Sequence, residues 1–541
     1  MKTNNLILGG VVSIILALGT VGQAMALDAA EADYDLKLLG KYGFFDKISN
    51  PPRMACVTCH DPATGGTGGV SGVNLHQVAI TGANPHTVGN LKPPTNAYAS
   101  FIPLFNATCG HGGLGPAGGP NELCGGNFWN GRAEGNDVGS KVFPDGATKH
   151  LGDEVFFKSD GTLLAVDYSN YFGPTADQAL NPMPNKVEQN IERKLVCEHV
   201  KSAKYAKLYE LAWGVPVDCS DTVVVEHAGD VAEERAFDIS FKRYILAICA
   251  WQHSKELNSF SSKRDKALQR ELDAIDVDAT PGKFPLVGFT AQENYGHDLF
   301  YATRFSRIPV GKLGAGKFSN CAFCHADNPV LPGRPKDDGS EPLQLYSAQD
   351  YHNIGTPRNL EIPATYDSDG NFIDPDVGVA GHAVNALGNT QYPEGFFKTP
   401  TLRNVYKRPG NGFTKAFTHN GWFKSVESIV HYYNTAFVFT AGCTDVQAPI
   451  GQCDDDAAAT PNPTSTAATF GVTRCPANIT TAKDALAHNC WPAPARPNGA
   501  IPFLVGDLHL TAADEAAIVA YLKTFTDTET VKAPPPYNAK K

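Results

Sequence analysis

Two copies of one pentapeptide, Cys56-Val57-Thr58-Cys59-His60 and Cys321-Ala322-Phe323-Cys324-His325, constrain this 541-residue chain more than any other feature. C-x-x-C-H is the pattern by which c-type haem is attached. The two thiols add across the vinyl groups of the porphyrin. The adjacent histidine then lies under the iron as its proximal ligand, because the covalent links fix the ring over a single turn of backbone. A zinc site would need two further ligands at matched spacing, and a redox dithiol needs no histidine after it. Two such motifs set far apart predict two haem domains.

Residues 1–26 begin with a short polar start holding Lys2, continue through an apolar stretch from Leu6 to Val21, and end in Ala24-Met25-Ala26. This reads as a secretory signal with a small-residue cleavage site, not as an anchor. No other apolar run has membrane-spanning length. The expected destination is the periplasm, where c-type haem is attached, or the outer cell surface. Of 13 cysteines, nine remain after the four in the haem motifs. In an oxidising compartment most should be paired. Sequence proximity suggests Cys109–Cys124, Cys197–Cys219, Cys443–Cys453 and Cys475–Cys490, with Cys249 left over in an apolar helix, although sequence leaves the connectivity open. A net charge of −11 argues against a nucleic-acid partner and suits a basic one.

With 52 glycines and 38 prolines, long loops should surround a modest amount of helix, giving a mainly α protein with disulfide-bearing insertions. The composition shifts near Thr280-Pro281-Gly282. We therefore divide the chain into an N-terminal haem domain (27–282), a C-terminal haem domain (283–531) and a loose tail (532–541). Apolar positions recur at helical spacing over Asn185–Trp213 and, more strongly, over Asp230–Leu257, and a helix over Gln292–Phe305 is expected to lead into the second haem motif. Shorter helices are expected after Ser425 as N-cap and after a capping-box-like start at Thr511. Glu134–Thr175 and Ala441–Pro502 read as insertions without a helical period.

Phe128-Trp129-Asn130-Gly131-Arg132-Ala133 stands between the haem motifs, and Lys398-Thr399-Pro400-Thr401-Leu402-Arg403-Asn404-Val405 follows the second. Together they resemble the bacterial dihaem cytochrome c peroxidase superfamily, which includes the tryptophan-oxidising MauG proteins. The resemblance covers most of residues 45–435 and the final helix. It implies two cytochrome c-like haem domains, with Trp129 between the haems as an electron bridge. Gln178 and, ten residues later, Glu188 match the family's catalytic pair. There the carboxylate moves a proton between the peroxide oxygens, which is general acid–base work. The plainer reading of Glu188 is a solvated charge at a helix start. The family's sixth ligand to the second iron lies fourteen residues after a histidine matching His419, and here that position is Tyr433, with Tyr432 as the neighbouring alternative. Apart from the signal, the only methionines are Met54 and Met183, so the C-terminal half cannot supply a methionine ligand. A phenolate ligand should lower the haem potential.

The resemblance also implies a calcium ion held by Asn96 and by the carbonyls of Thr414 and Ala416. His76 stands sixteen residues after His60, the spacing of the family's displaceable distal ligand. MauG carries a surface tryptophan two residues before its second motif, where this chain has Ser319. The implied activity is that of a dihaem c-type peroxidase (an oxidoreductase) which reduces hydrogen peroxide at the N-terminal haem. The C-terminal haem, held by His325 and Tyr433, would store and relay oxidising equivalents. A small cytochrome c or cupredoxin would supply electrons, and the family leaves room for a homodimer. One alternative is a MauG-like oxidation of tryptophan or tyrosine on a partner protein. Another is a non-catalytic dihaem electron carrier.

Overall fold

The computed structural model describes residues 29–106, 123–135, 151–225, 233–274, 286–302, 317–325, 343–366, 369–382, 392–436, 465–496 and 505–538. The expected signal segment, the boundary near 280–282, Cys109, Cys443 and Cys453 lie outside these residues, as do parts of both expected insertions. The described chain is mainly helical, and its strands form three short two-stranded pairs.

In the N-terminal half, the helix Ala236–Gln252 is buried on almost every side. An all-round apolar helix belongs in a core rather than on a surface. It packs against Ala29–Phe45, Pro174–Ala179 and Arg193–Ser202. Gly40 makes the first of these crossings possible, because a Cβ there would lie 1.8 Å from the carbonyl oxygen of Ala247. Lys242, at the centre of the same helix, is fully buried and paired with Glu154 at 2.9 Å and Glu234 at 2.5 Å. The helical period over Asn185–Trp213 resolves into two helices, Arg193–Ser202 and Ala206–Trp213, because Ala203 turns to extended backbone. A disulfide joins Cys197 to Cys219.

The C-terminal half repeats the arrangement. Helix Ala291–Tyr301 crosses the last helix, Ala512–Lys523, at Gly296, where a Cβ would meet the Ala517 carbonyl oxygen at 2.0 Å. Capping boxes at Thr290 and Thr511 start both helices. Helix Val426–Thr435 packs on the last helix, and Ser425 caps it by accepting from the Ser428 N–H. Within the expected insertion, residues 465–496 form helices Thr466–Phe470 and Ala482–Ala487, each too short to register as a period. The disulfide Cys475–Cys490 ties this segment together, and it packs beside Trp422 and Tyr432. Cys124 is disulfide-bonded, and Cys249 is free and buried. Near the chain end, the Tyr42 hydroxyl donates to the Pro535 carbonyl at 2.7 Å, and Tyr537 meets the Tyr42 ring edge-on.

Much of the Lys398–Val405 motif clamps the halves together. The Arg403 guanidinium grips the Asp265 carboxylate with two bonds of 2.8 Å, while the Asp527 carboxylate accepts from Tyr98 and Asn404. Burial alone would raise the pKa of Asp265, but Arg403 outweighs it and holds the group at about 2. A carboxylate depressed from 3.8 to about 2 contributes about 2 kcal/mol of stability that is present above pH 4 and lost as pH falls toward 2. Asp265→Asn should flatten that part of the stability–pH curve, measured by denaturant titration.

Candidate functional site

The first motif forms a single helical turn, Cys56–Cys59, with the His60 N–H donating to the Cys56 carbonyl at 3.0 Å. His60 Nδ1 lies 3.1 Å from the Gly66 carbonyl oxygen. A carbonyl can only accept, so Nδ1 carries the proton and the Nε2 lone pair is left for a metal. The second motif repeats the pattern. Cys321–His325 is one turn, and His325 Nδ1 lies 2.9 Å from the Tyr346 carbonyl. Burial lowers the pKa of His60 and pushes that of His325 down to about 4, so both rings are neutral, as ligation requires. All four motif cysteines are free thiols within one turn of their partners. The donor set thus fits two covalently attached haems.

Glu188 lies beside the first motif, not at a helix start. It sits in a turn preceding helix Arg193–Ser202. The backbone holds it on both sides: the Ala83 N–H donates to the Glu188 carbonyl at 2.6 Å, and the Asn50 N–H to the Gln189 carbonyl at 3.0 Å. Gln189 Nε2 reaches toward Cys56 Sγ at 3.9 Å. Burial is the main cause that raises the thiol pKa values of Cys56 to about 11 and Cys59 to about 12, and the Glu188 charge adds to both. The carboxyl of Glu188 is itself raised by burial, against the opposing pull of Arg132 and of Asn185, whose Nδ2 donates to Oε1 at 2.8 Å. Arg132, quoted above only as part of a motif, is thus the counter-charge to Glu188. It rests on the Phe128 ring at 3.9 Å.

A largely apolar cavity between the halves is lined by Cys321, Cys324, His325, Tyr433, Trp129 and Gln178, among others. Gln178 therefore faces Trp129's cavity, whereas Glu188 belongs to the first motif. Trp129 is 7% exposed and held at both ends: its Nε1–H donates to the Lys92 carbonyl at 2.8 Å, and its own carbonyl accepts from the Lys398 N–H at 3.0 Å. Gly131, at φ +77°, closes this turn under the Tyr351 hydroxyl, where a Cβ would collide. The two tyrosines on helix Val426–Thr435 differ sharply. The Tyr432 hydroxyl donates to the Gly355 carbonyl, while Tyr433 faces the cavity and its hydroxyl has no hydrogen bond to a described residue. Burial, with added repulsion from the Cys324 and Cys321 sulfurs, pushes the Tyr433 phenol far up. A phenolate forms there only against a cation.

His76 is well exposed and pairs with Glu361 at 2.7 Å. Ser319 is buried and accordingly offers no surface relay. For calcium the residues divide. Asn96 Oδ1 is buried without a hydrogen-bond partner, but the Thr414 carbonyl accepts from Asn74 at 3.1 Å. Between Thr414 and Ala416, the buried Lys415 ammonium donates to the carbonyls of Thr64 and Asn404 at 2.7 Å and Lys407 at 3.3 Å. His352, which no sequence pattern singled out, bonds Asp350 at 2.7 Å next to Cys324.

Residues 35–273 match the family model of the di-haem cytochrome c peroxidases. The chain is similar in fold to the diheme peroxidase BthA from Burkholderia thailandensis, at 20% identity, with 92% of this chain and 86% of that chain covered and a TM-score of 0.51. A variant of the same protein gives 20% identity, 92% and 87% coverage, and a TM-score of 0.52. A MauG-like protein associated with microbial copper homeostasis aligns at 17% identity over 94% of this chain and 93% of that chain, with a TM-score of 0.45. No protein of curated function matches the chain.

Proposed function

Starting from a chain that matches the di-haem cytochrome c peroxidase family over residues 35–273, we propose that it reduces hydrogen peroxide to two waters, consuming two electrons and two protons. The observation that carries this reading is Glu188, pinned beside Cys56 and Cys59 with Asn185 bonded to its carboxylate and the Arg132 charge nearby. When bound, the haems supply redox-active iron, the one on His60 for the substrate and the one on His325 for electron storage. Glu188 takes the proton from one peroxide oxygen and returns it to the departing one. Arg132 favours the ionised carboxylate that the first transfer needs. Trp129 fills the space between the halves and offers electrons a π path. Tyr433, which lines the same cavity as His325, would help His325 hold the second iron, and a small redox protein would be the electron donor. The segment 1–26 directs the chain out of the cytoplasm. Among the described residues no helix is long and apolar enough to cross a membrane.

Tyr433 in the cavity also supports a second reading, in which the stored oxidising equivalents attack a tryptophan or tyrosine of a partner protein. The buried Ser319 gives that reading no exit at its position. A plain electron carrier has no use for Glu188. The test is haem staining and peroxide turnover in cysteine variants. Cys56→Ala with Cys59→Ala should halve the stain and abolish turnover, and replacing Cys321 and Cys324 as well should remove the stain. A wild-type protein with one haem, or with zinc, would end the proposal.

A further inference from the structure

Two lysines beside Trp129 have an unusual environment. Lys92 and Lys398 are 6% and 8% exposed, and both line the central cavity. Lys92 Nζ donates to Thr67 Oγ1 at 2.5 Å and to the Pro93 carbonyl at 3.2 Å. Lys398 Nζ donates to the Gly126 carbonyl at 2.7 Å and to Asn127 Oδ1 at 3.4 Å. Each ammonium has three N–H donors, and each spends two of them on neutral acceptors. Neither forms an ion pair with a carboxylate among the described residues. A buried charge without a counter-charge costs several kcal/mol unless an anion is brought to it. Burial alone drives both amines down to about 7. Lys242, equally buried, has two glutamates, so the fold supplies carboxylates where a lysine needs them. Lys415, also lining the cavity, spends all three donors on carbonyls and is complete without an anion.

The two incomplete lysines also share a position. The Lys92 carbonyl holds the Trp129 indole N–H, and the Lys398 N–H holds the Trp129 carbonyl. They therefore flank the one aromatic side chain expected between the haems. Each porphyrin carries two carboxylates at one edge, and an apolar cavity between two porphyrins has no better place for them than these ammonium groups.

We propose that Lys92 and Lys398 are the counter-ions of haem propionates, one on each side of Trp129, an inference that rests on the dihaem reading above. It follows that the lysines do more than fill space. They place positive charge beside the porphyrin edge, which favours the reduced iron and raises its potential. They also fix the propionates to the same backbone segments that hold the Trp129 ring, so ring and haem edges keep one spacing.

The test uses the haem-loaded protein and reads potential, not turnover. Lys92→Met and Lys398→Met keep length and apolar bulk while removing the charge. Each should lower the midpoint potential of a haem by about one decade in the reduction equilibrium, about 59 mV for one electron. Lys398→Arg should keep most of the wild-type value. Unchanged potentials in both methionine variants would overturn the proposal. A crystal structure of the haem-loaded wild type decides the point even if a variant fails to fold: a carboxylate oxygen within roughly 4 Å of each Nζ is expected, and its absence at both overturns it. A wild type with fewer than two haems would instead overturn the dihaem reading, so the two failures are distinguishable.

Discussion

Glu188→Gln is expected to slow the reaction with hydrogen peroxide by about 10²–10⁴ while leaving both haem spectra nearly unchanged. The amide preserves the size of the side chain and its bond to Asn185, so the turn held by Ala83 and Asn50 should persist. What disappears is the group that moves the proton. The pH profile offers a second readout. Burial raises the Glu188 pKa above the ordinary carboxylate range, and Arg132 and Asn185 only partly restore it. The base form is needed first, so the rate should fall as pH drops through that raised pKa, at a higher pH than for a solvated glutamate. Glu188→Gln should lose this acid limb along with the rate. Stopped-flow mixing with peroxide across pH checks both, and an unchanged rate would remove Glu188 from the mechanism.

Tyr433→Phe should convert the His325 haem from low spin to high spin and raise its midpoint potential by at least two decades in the reduction equilibrium, about 120 mV for one electron. The structure separates this effect from simple loss of packing. The Tyr433 hydroxyl bonds to no described residue, so the substitution breaks no hydrogen bond among the described residues and keeps the ring. Tyr432→Phe is the control. It breaks the bond to the Gly355 carbonyl and should cost about 1 kcal/mol of stability with little change of spin state. Electronic absorption and spectroelectrochemistry report both variants. An unaltered low-spin spectrum in Tyr433→Phe would mean that another group completes the second iron's coordination.

The chain announces its chemistry more clearly than its architecture. C-x-x-C-H is readable because attachment needs two thiols and a histidine within one turn, a local requirement that sequence records directly. The same holds for the capped helices beginning after Ser425 and Thr511, whose start signals are contiguous. Asn185–Trp213 shows the limit of periodicity. Two helices on one core face carry a continuous apolar rhythm, and the turn at Ala203 leaves no glycine or proline to mark it. The partners of the functional groups were less legible still. Arg132 opposite Glu188, His352 beside Cys324, and the lysines around Trp129 are brought together by tertiary packing alone. His76 had the right spacing from His60, yet the fold turns it outward to Glu361, because spacing along a loop fixes reach and not direction.

The central claim is that one peroxide draws two electrons from two haems, with Glu188 governing entry. It is tested most directly by titrating the fully reduced, haem-loaded protein with hydrogen peroxide while following both haem bands. The account predicts that one equivalent oxidises both haems, quickly in the wild type and in Tyr433→Phe, slowly in Glu188→Gln. Two haems that stay reduced under excess peroxide, or that oxidise equally fast in Glu188→Gln, would contradict it.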